Sequence, residues 1–89
     1  MANRMQAKPS DYEQQAEAGA IEAQYRLGLL YSTGMGVPLD YVMAHKWLNL
    51  AAQQGYEEAK RLRVELACEM TREEIAEAQR LARQWMQRH

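Results

Sequence analysis

Residues 16–55 read AEAGAIEAQYRLGLLYSTGMGVPLDYVMAHKWLNLAAQQG, and the pattern of this segment indicates the fold. In its first half, Ala23, Leu27, Leu30 and Tyr31 recur at three- and four-residue spacing, which predicts an amphipathic helix over about residues 20 to 32. The segment 33–39, TGMGVPL, holds two glycines and a proline and is typical of a loop. Asp40 then caps a helix expected over about residues 41 to 54. The stretch therefore predicts two helices joined by a tight connection.

Helical patterns continue on both sides of this pair. Upstream, Ser10 and Glu13 have the spacing of a capping box and predict a short helix that ends at Gly19, after a flexible arm over residues 1–9. Downstream, a fourth helix is expected over about residues 56 to 67. Thr71 and Glu74 form a second capping-box pattern, opening a last helix over about residues 72 to 87. The sequence thus predicts an all-α domain of about five helices over residues 10–89.

Composition excludes several classes of protein. The 89 residues carry 11 Lys and Arg against 12 Asp and Glu, for a net charge of −1, whereas nucleic-acid and anionic-membrane binders usually carry a basic surplus. Cys68 is the single cysteine, so neither an internal disulfide nor a cysteine zinc site is expected. The first residues lack the apolar run of a signal peptide, and no stretch has the length of a membrane span. We therefore expect a cytoplasmic protein with no membrane partner.

An internal repeat organises the helices. Identical residues recur 36 positions apart, among them Gly19 with Gly55, Ala23 with Ala59, and Leu30 with Leu66. Helix pairs that recur at this period stack into an α-solenoid, in which each pair buries its apolar face against the next. The sequence therefore predicts a short α-solenoid of antiparallel helix pairs.

The repeat resembles the Sel-one-like repeat family, which is related to the tetratricopeptide repeats. The matching residues are Ala16, Gly19, Ala23, Leu27, Gly28, Tyr31, Gly34, Gly36, Val37, Asp40, Ala44, Trp47, Ala51, Ala52 and Gly55. The resemblance implies one full repeat over about residues 16–55. Residues 56–88 would be a degenerate capping repeat, since Arg63 and Val64 stand where the family has Leu and Gly. It also implies a non-enzymatic protein-interaction or scaffold module that uses no cofactor.

Four residues outside the repeat pattern are candidates for partner binding. Tyr25 and Leu29 lie four apart on the side of the second helix that the repeat does not use, and Arg61 and Glu65 occupy the matching positions of the fourth helix. If first helices of successive repeats line a concave surface, as the resemblance implies, these residues form the floor of a peptide groove. The alternative is that the last helix or the N-terminal arm covers them.

A second apolar stripe lies on the third helix. Met43, Trp47 and Leu50 follow helical spacing beside the main core face, and a small domain is not expected to leave such a stripe in water. The stripe either packs against the last helix, which brings Ile75 and Trp85, or forms an oligomer patch with a second copy of the chain. A homodimer therefore stays open.

Two rival functions were weighed against protein interaction. A nucleic-acid-binding role would use the helix that opens at Thr71 as part of a helix-turn-helix, but its acidic first turn would face phosphate. An enzyme, for example a hydrolase, would need a nucleophile paired with a base. His45 is expected to be a partly exposed helical residue without ligands nearby, and Gly34 and Gly36 lack the rest of a phosphate-binding motif. No catalytic, cofactor or metal residue is therefore assigned.

Overall fold

The computed structural model describes residues 8–89, which form five α-helices and no strand. The helices are α1 (Pro9–Glu17), α2 (Ile21–Thr33), α3 (Tyr41–Gln53), α4 (Glu57–Ala67) and α5 (Arg72–Arg88). The predicted all-α class with about five helices is confirmed, and the predicted bounds of α2 to α5 agree with the observed ones to within one residue. Residues 1–7 of the predicted arm lie outside the described residues.

The start of α1 differs from the prediction. The helix begins at Pro9, and the main-chain N–H of Lys8 donates a hydrogen bond to Asp11 Oδ2 at 3.1 Å. The predicted capping box of Ser10 and Glu13 is therefore wrong, and Ser10 lies inside the first turn. Proline favours the first helical position because its fixed φ suits a helix and its missing N–H has no partner there in any case.

The other predicted helix boundaries are formed by local hydrogen bonds. Asp40 Oδ1 accepts from the Met43 amide at 3.1 Å and caps α3. Thr71 and Glu74 exchange two hydrogen bonds, at 2.9 and 3.1 Å, and form the capping box of α5. At the end of α2, Gly34 adopts a left-handed conformation with φ 73°, which ends the helix and turns the chain toward α3.

Helix α3 lies at the centre of the domain and packs against α2, α4 and α5, while α1 packs on α2. The α2–α3 contact is close because Gly28 faces Leu48: a Cβ at position 28 would lie 2.7 Å from Leu48 Cγ. Two buried clusters result. One holds Ala16, Ala23, Leu27, Trp47, Leu50 and Ala82, and the other holds Ala44, Leu48, Ala51, Ala52, Ala59 and Leu66.

Helix α5 covers the second apolar stripe. Trp47 and Leu50 are each only 1% exposed, and Met43 packs against the same cluster. The ring of Trp85 meets that of Trp47 edge to face, with centroids 6.4 Å apart, and Trp85 Nε1 donates to Glu17 Oε1 at 3.1 Å. Of the two arrangements left open for Met43, Trp47 and Leu50, the last helix or an oligomer patch, the structure has the one with the last helix. Small buried residues on α5, Ala78 and Ala82, allow this approach.

Candidate functional site

A groove lies between α2 and α4, with α3 as its base, and we call it the α2–α4 groove. It has a volume of about 320 Å³ and is lined by Leu29, Ser32, Leu48, Leu62, Glu65, Leu66 and Glu69. Its floor is apolar, since Leu48 and Leu66 belong to a buried core cluster and Leu62 packs against that cluster. Three helices therefore hold all of the lining residues except Glu69, which lies in the turn after α4.

The structure brings only two of the four predicted partner-binding residues to this groove. Leu29 of α2 and Glu65 of α4 lie on its lining. Arg61 is exposed on α4 outside the lining, where its guanidinium pairs with the Glu58 carboxylate. Of the covering elements considered, α5 contributes no residue to the groove, and the arm over residues 1–7 is outside the described part of the chain.

Tyr25 has a packing role that its position in the sequence did not suggest. Its ring lies against that of Tyr56, with centroids 4.6 Å apart and planes inclined by 37°. Both rings pack on the cluster that contains Leu48, and Tyr25 is half-buried. Tyr25 thus packs α2 against the connection between α3 and α4, and it lies beside the groove and not within it.

The rim of the groove is acidic. Glu65 and Glu69 are exposed, and neither makes an ion pair among residues 8–89. Arg61 does not neutralise them, because it is paired with Glu58 on its own helix. An apolar floor beside unpaired carboxylates favours a ligand that combines apolar and cationic groups.

The sequence analysis missed Leu62 and Glu69 as groove residues. With Glu65 and Leu66 they follow a three- and four-residue spacing that places them on one face of α4 and its C-terminal extension. That spacing was a usable signal. The signal was overlooked because the expected floor was taken from positions related by the 36-residue repeat. Leu62 and Glu69 do not lie 36 residues from any other lining residue, because the matching positions 26 and 33 are not on the lining.

The residues considered for chemistry have structural surroundings. His45 is 4% exposed, so the expectation that it is partly exposed is wrong; burial chiefly, and then the nearby charge of Arg63, lower the pKa of its imidazole. Gly36 has φ 80°, and a Cβ there would lie 2.9 Å from Pro9 Cγ, so the loop packs closely on α1. Over residues 8–89, no group of three or more His, Cys, Asp and Glu side chains is arranged to hold a metal ion. Within the same range, no helix is long and apolar enough to cross a membrane.

Comparison with known proteins identifies the central helix pair. Residues 21–56 match the family model of the Sel1 repeat, and this segment contains α2, the connecting loop and α3. The chain is also similar to chitin synthase regulatory factor 3 of Schizosaccharomyces pombe, with 42% identity over 43 residues. That alignment covers 48% of this chain and 5% of the yeast protein, so the chain spans a small fraction of the relative's length. Sel1 repeats generally mediate protein–protein interactions.

Proposed function

We propose that the domain is a protein-interaction module whose α2–α4 groove binds a basic, apolar segment of a partner protein, because residues 21–56 match the family model of the Sel1 repeat. The observation that carries the proposal is the pairing of an apolar floor, Leu48, Leu62 and Leu66, with the unpaired carboxylates of Glu65 and Glu69. No cofactor takes part. Residues 56–88 serve as the closing repeat, because α4 and α5 cover the two sides of α3.

The division of roles follows from the geometry. Apolar side chains of the partner fill the space over Leu48 and displace water, and this burial supplies most of the affinity. The carboxylates lie at the rim, where solvent screens them, so they set the association rate and the choice of partner more than the strength of binding. The volume of about 320 Å³ is at the lower end of ligand pockets and suits a few side chains of a peptide.

The test is a selection of peptides from a random display library on the immobilised full chain, followed by affinity measurements on synthetic copies. We expect enriched peptides that combine Lys or Arg with large apolar residues. Glu65→Lys with Glu69→Lys should weaken them by about tenfold or more, because attraction becomes repulsion. Glu73→Lys, an exposed change in the first turn of α5, is the matched control and should leave their affinity unchanged.

Circular dichroism of each variant establishes that the helices are intact. The proposal is overturned if basic peptides are not enriched, or if those enriched bind the Glu65/Glu69 variant and the Glu73 variant equally well.

A further inference from the structure

A second and larger depression lies on the other side of the domain, between α4 and α5, and we call it the α4–α5 cleft. Although these helices are consecutive, each packs more extensively on α3 than on the other. The cleft between them has a volume of about 610 Å³ and is lined by His45, Asn49, Arg63, Val64, Ala67, Cys68, Ile75 and Gln79. It shares no residue with the α2–α4 groove.

Arg63 is the charged group of this cleft, and it differs from the other cations of α4. Lys60 and Arg61 each make an ion pair with a carboxylate one turn earlier. Arg63 has no carboxylate within ion-pair distance among residues 8–89, and its guanidinium donates instead to Asn49 Oδ1 at 2.7 Å. Because Asn49 is 7% exposed, this bond holds a half-buried positive charge against the base of the cleft.

The rest of the lining is partly apolar, and one of its buried polar atoms has no hydrogen-bond partner among the described residues. Val64 is 61% exposed although it is a large apolar residue, and Ile75 faces it across the cleft from α5. On the base, His45 is 4% exposed and its Nδ1 has no hydrogen-bond partner among the described residues. An apolar wall beside a fixed, unpaired guanidinium is the complement of a segment that carries a carboxylate next to apolar side chains.

We infer that the α4–α5 cleft is a second docking site, which binds an acidic, apolar segment of a partner protein through an ion pair to Arg63. The occupant's carboxylate contacts the guanidinium from the open side, while Asn49 holds the opposite side in place. Its apolar side chains cover Val64 and Ile75. The two faces of the domain then select segments of opposite charge, so that one small module joins two different protein segments.

Cys68 offers a direct readout of this cleft in the wild-type chain. It is exposed, lines the cleft and is the single cysteine of the sequence, so iodoacetamide alkylates one position. The probes are acidic, apolar peptides selected from a random display library on the full chain, and basic, apolar peptides from the same selection. We expect the acidic peptides at saturation to slow alkylation of Cys68 by about tenfold, while the basic peptides leave its rate unchanged, since they occupy the other face.

Two arginines of α4 provide matched variants. Arg63→Gln should weaken the acidic peptides by about tenfold or more, and Arg63→Lys should restore part of the loss. Arg61→Gln removes the same charge two residues away, on another face of the helix, and should have no such effect. Circular dichroism checks that each variant stays folded, and Val64→Glu, an exposed change, serves as a second test that does not touch the Asn49 bond.

Several outcomes overturn the inference. One is a selection that yields no acidic peptide, and another is acidic peptides that bind without protecting Cys68. Equal loss in the Arg61 and Arg63 variants also refutes it, because only bulk charge then matters. Protection of Cys68 that grows with protein concentration alone assigns the cleft to a second copy of the chain. None of these results bears on basic peptides at the α2–α4 groove, so the two proposals fail separately.

Discussion

Replacement of Trp47 tests how the core is built. Its indole is 1% exposed between α3 and α5, and its Nε1 has no hydrogen-bond acceptor among residues 8–89. The side chain therefore contributes apolar burial while it carries one unsatisfied polar group. Trp47→Ala removes both features, whereas Trp47→Phe keeps a six-membered ring and removes two ring carbons together with the unsatisfied N–H, so the two variants separate the effects.

The expected magnitudes differ sharply. Truncation of a buried tryptophan to alanine destabilises a protein by about 3–5 kcal/mol. A domain of this size is stable by about 4–13 kcal/mol, so the Ala variant loses a large share of its free energy of unfolding. Trp47→Phe removes two ring carbons, which costs about 1.6 kcal/mol at about 0.8 kcal/mol per buried carbon. Relief of the unpaired N–H returns about 1–3 kcal/mol, so we expect the Phe variant to lie between about 0.6 kcal/mol less stable and about 1.4 kcal/mol more stable than wild type.

The assay is urea unfolding followed by circular dichroism at fixed pH, with Trp85→Phe as the matched control. Trp85 Nε1 donates to Glu17, so removal of its N–H breaks a hydrogen bond and brings no compensating relief. We expect the control to be less stable than the Trp47→Phe variant. A loss below about 1 kcal/mol in Trp47→Ala, or equal losses in Trp47→Ala and Trp47→Phe, would refute this reasoning.

Three further predictions concern single positions. Gly36→Ala should destabilise the domain more than Gly55→Ala. Both glycines have positive φ, but only a Cβ at position 36 would meet a neighbour, Pro9 Cγ at 2.9 Å. Thermal unfolding of the two variants measures the difference. Because the pKa of His45 is lowered in the folded protein, the unfolded chain binds the proton more readily. The free energy of unfolding that is present above about pH 6.5 should therefore fall as the pH drops through the folded-state pKa. His45→Gln should remove this part of the pH dependence, as measured by urea unfolding between about pH 5 and 7.5. Thr71→Ala should cost about 1 kcal/mol through loss of the α5 cap, again by urea unfolding.

The helices and their ends were predictable because local chemistry forms them. Asp40 caps α3 through an amide three residues away, and Gly34 ends α2 through its own backbone conformation. The error at Ser10 has the same local scale, since Pro9 occupies the first helical position and leaves Ser10 inside the first turn. Apolar spacing likewise predicted the burial of Ala23 and Leu27 on α2, and the 36-residue offset predicted the paired arrangement.

The candidate binding surfaces depend on how α2, α4 and α5 are placed around the central helix α3. Sequence spacing identifies a helix face but not what that face contacts. It therefore did not decide whether Trp47 packs against the last helix or against a second copy of the chain. It also placed Tyr25 in the groove, whereas Tyr25 packs on Tyr56 beside it. The same limit applies to charge, because the sequence does not distinguish the surroundings of Arg61 and Arg63. Arg61 pairs with Glu58 on its own helix, whereas Arg63 donates to Asn49 of α3 at the base of the α4–α5 cleft. Local hydrogen bonds and apolar periodicity depend on residues that are close together in the sequence. The contacts that define a site join residues far apart in the chain, and only the packed helices bring them together.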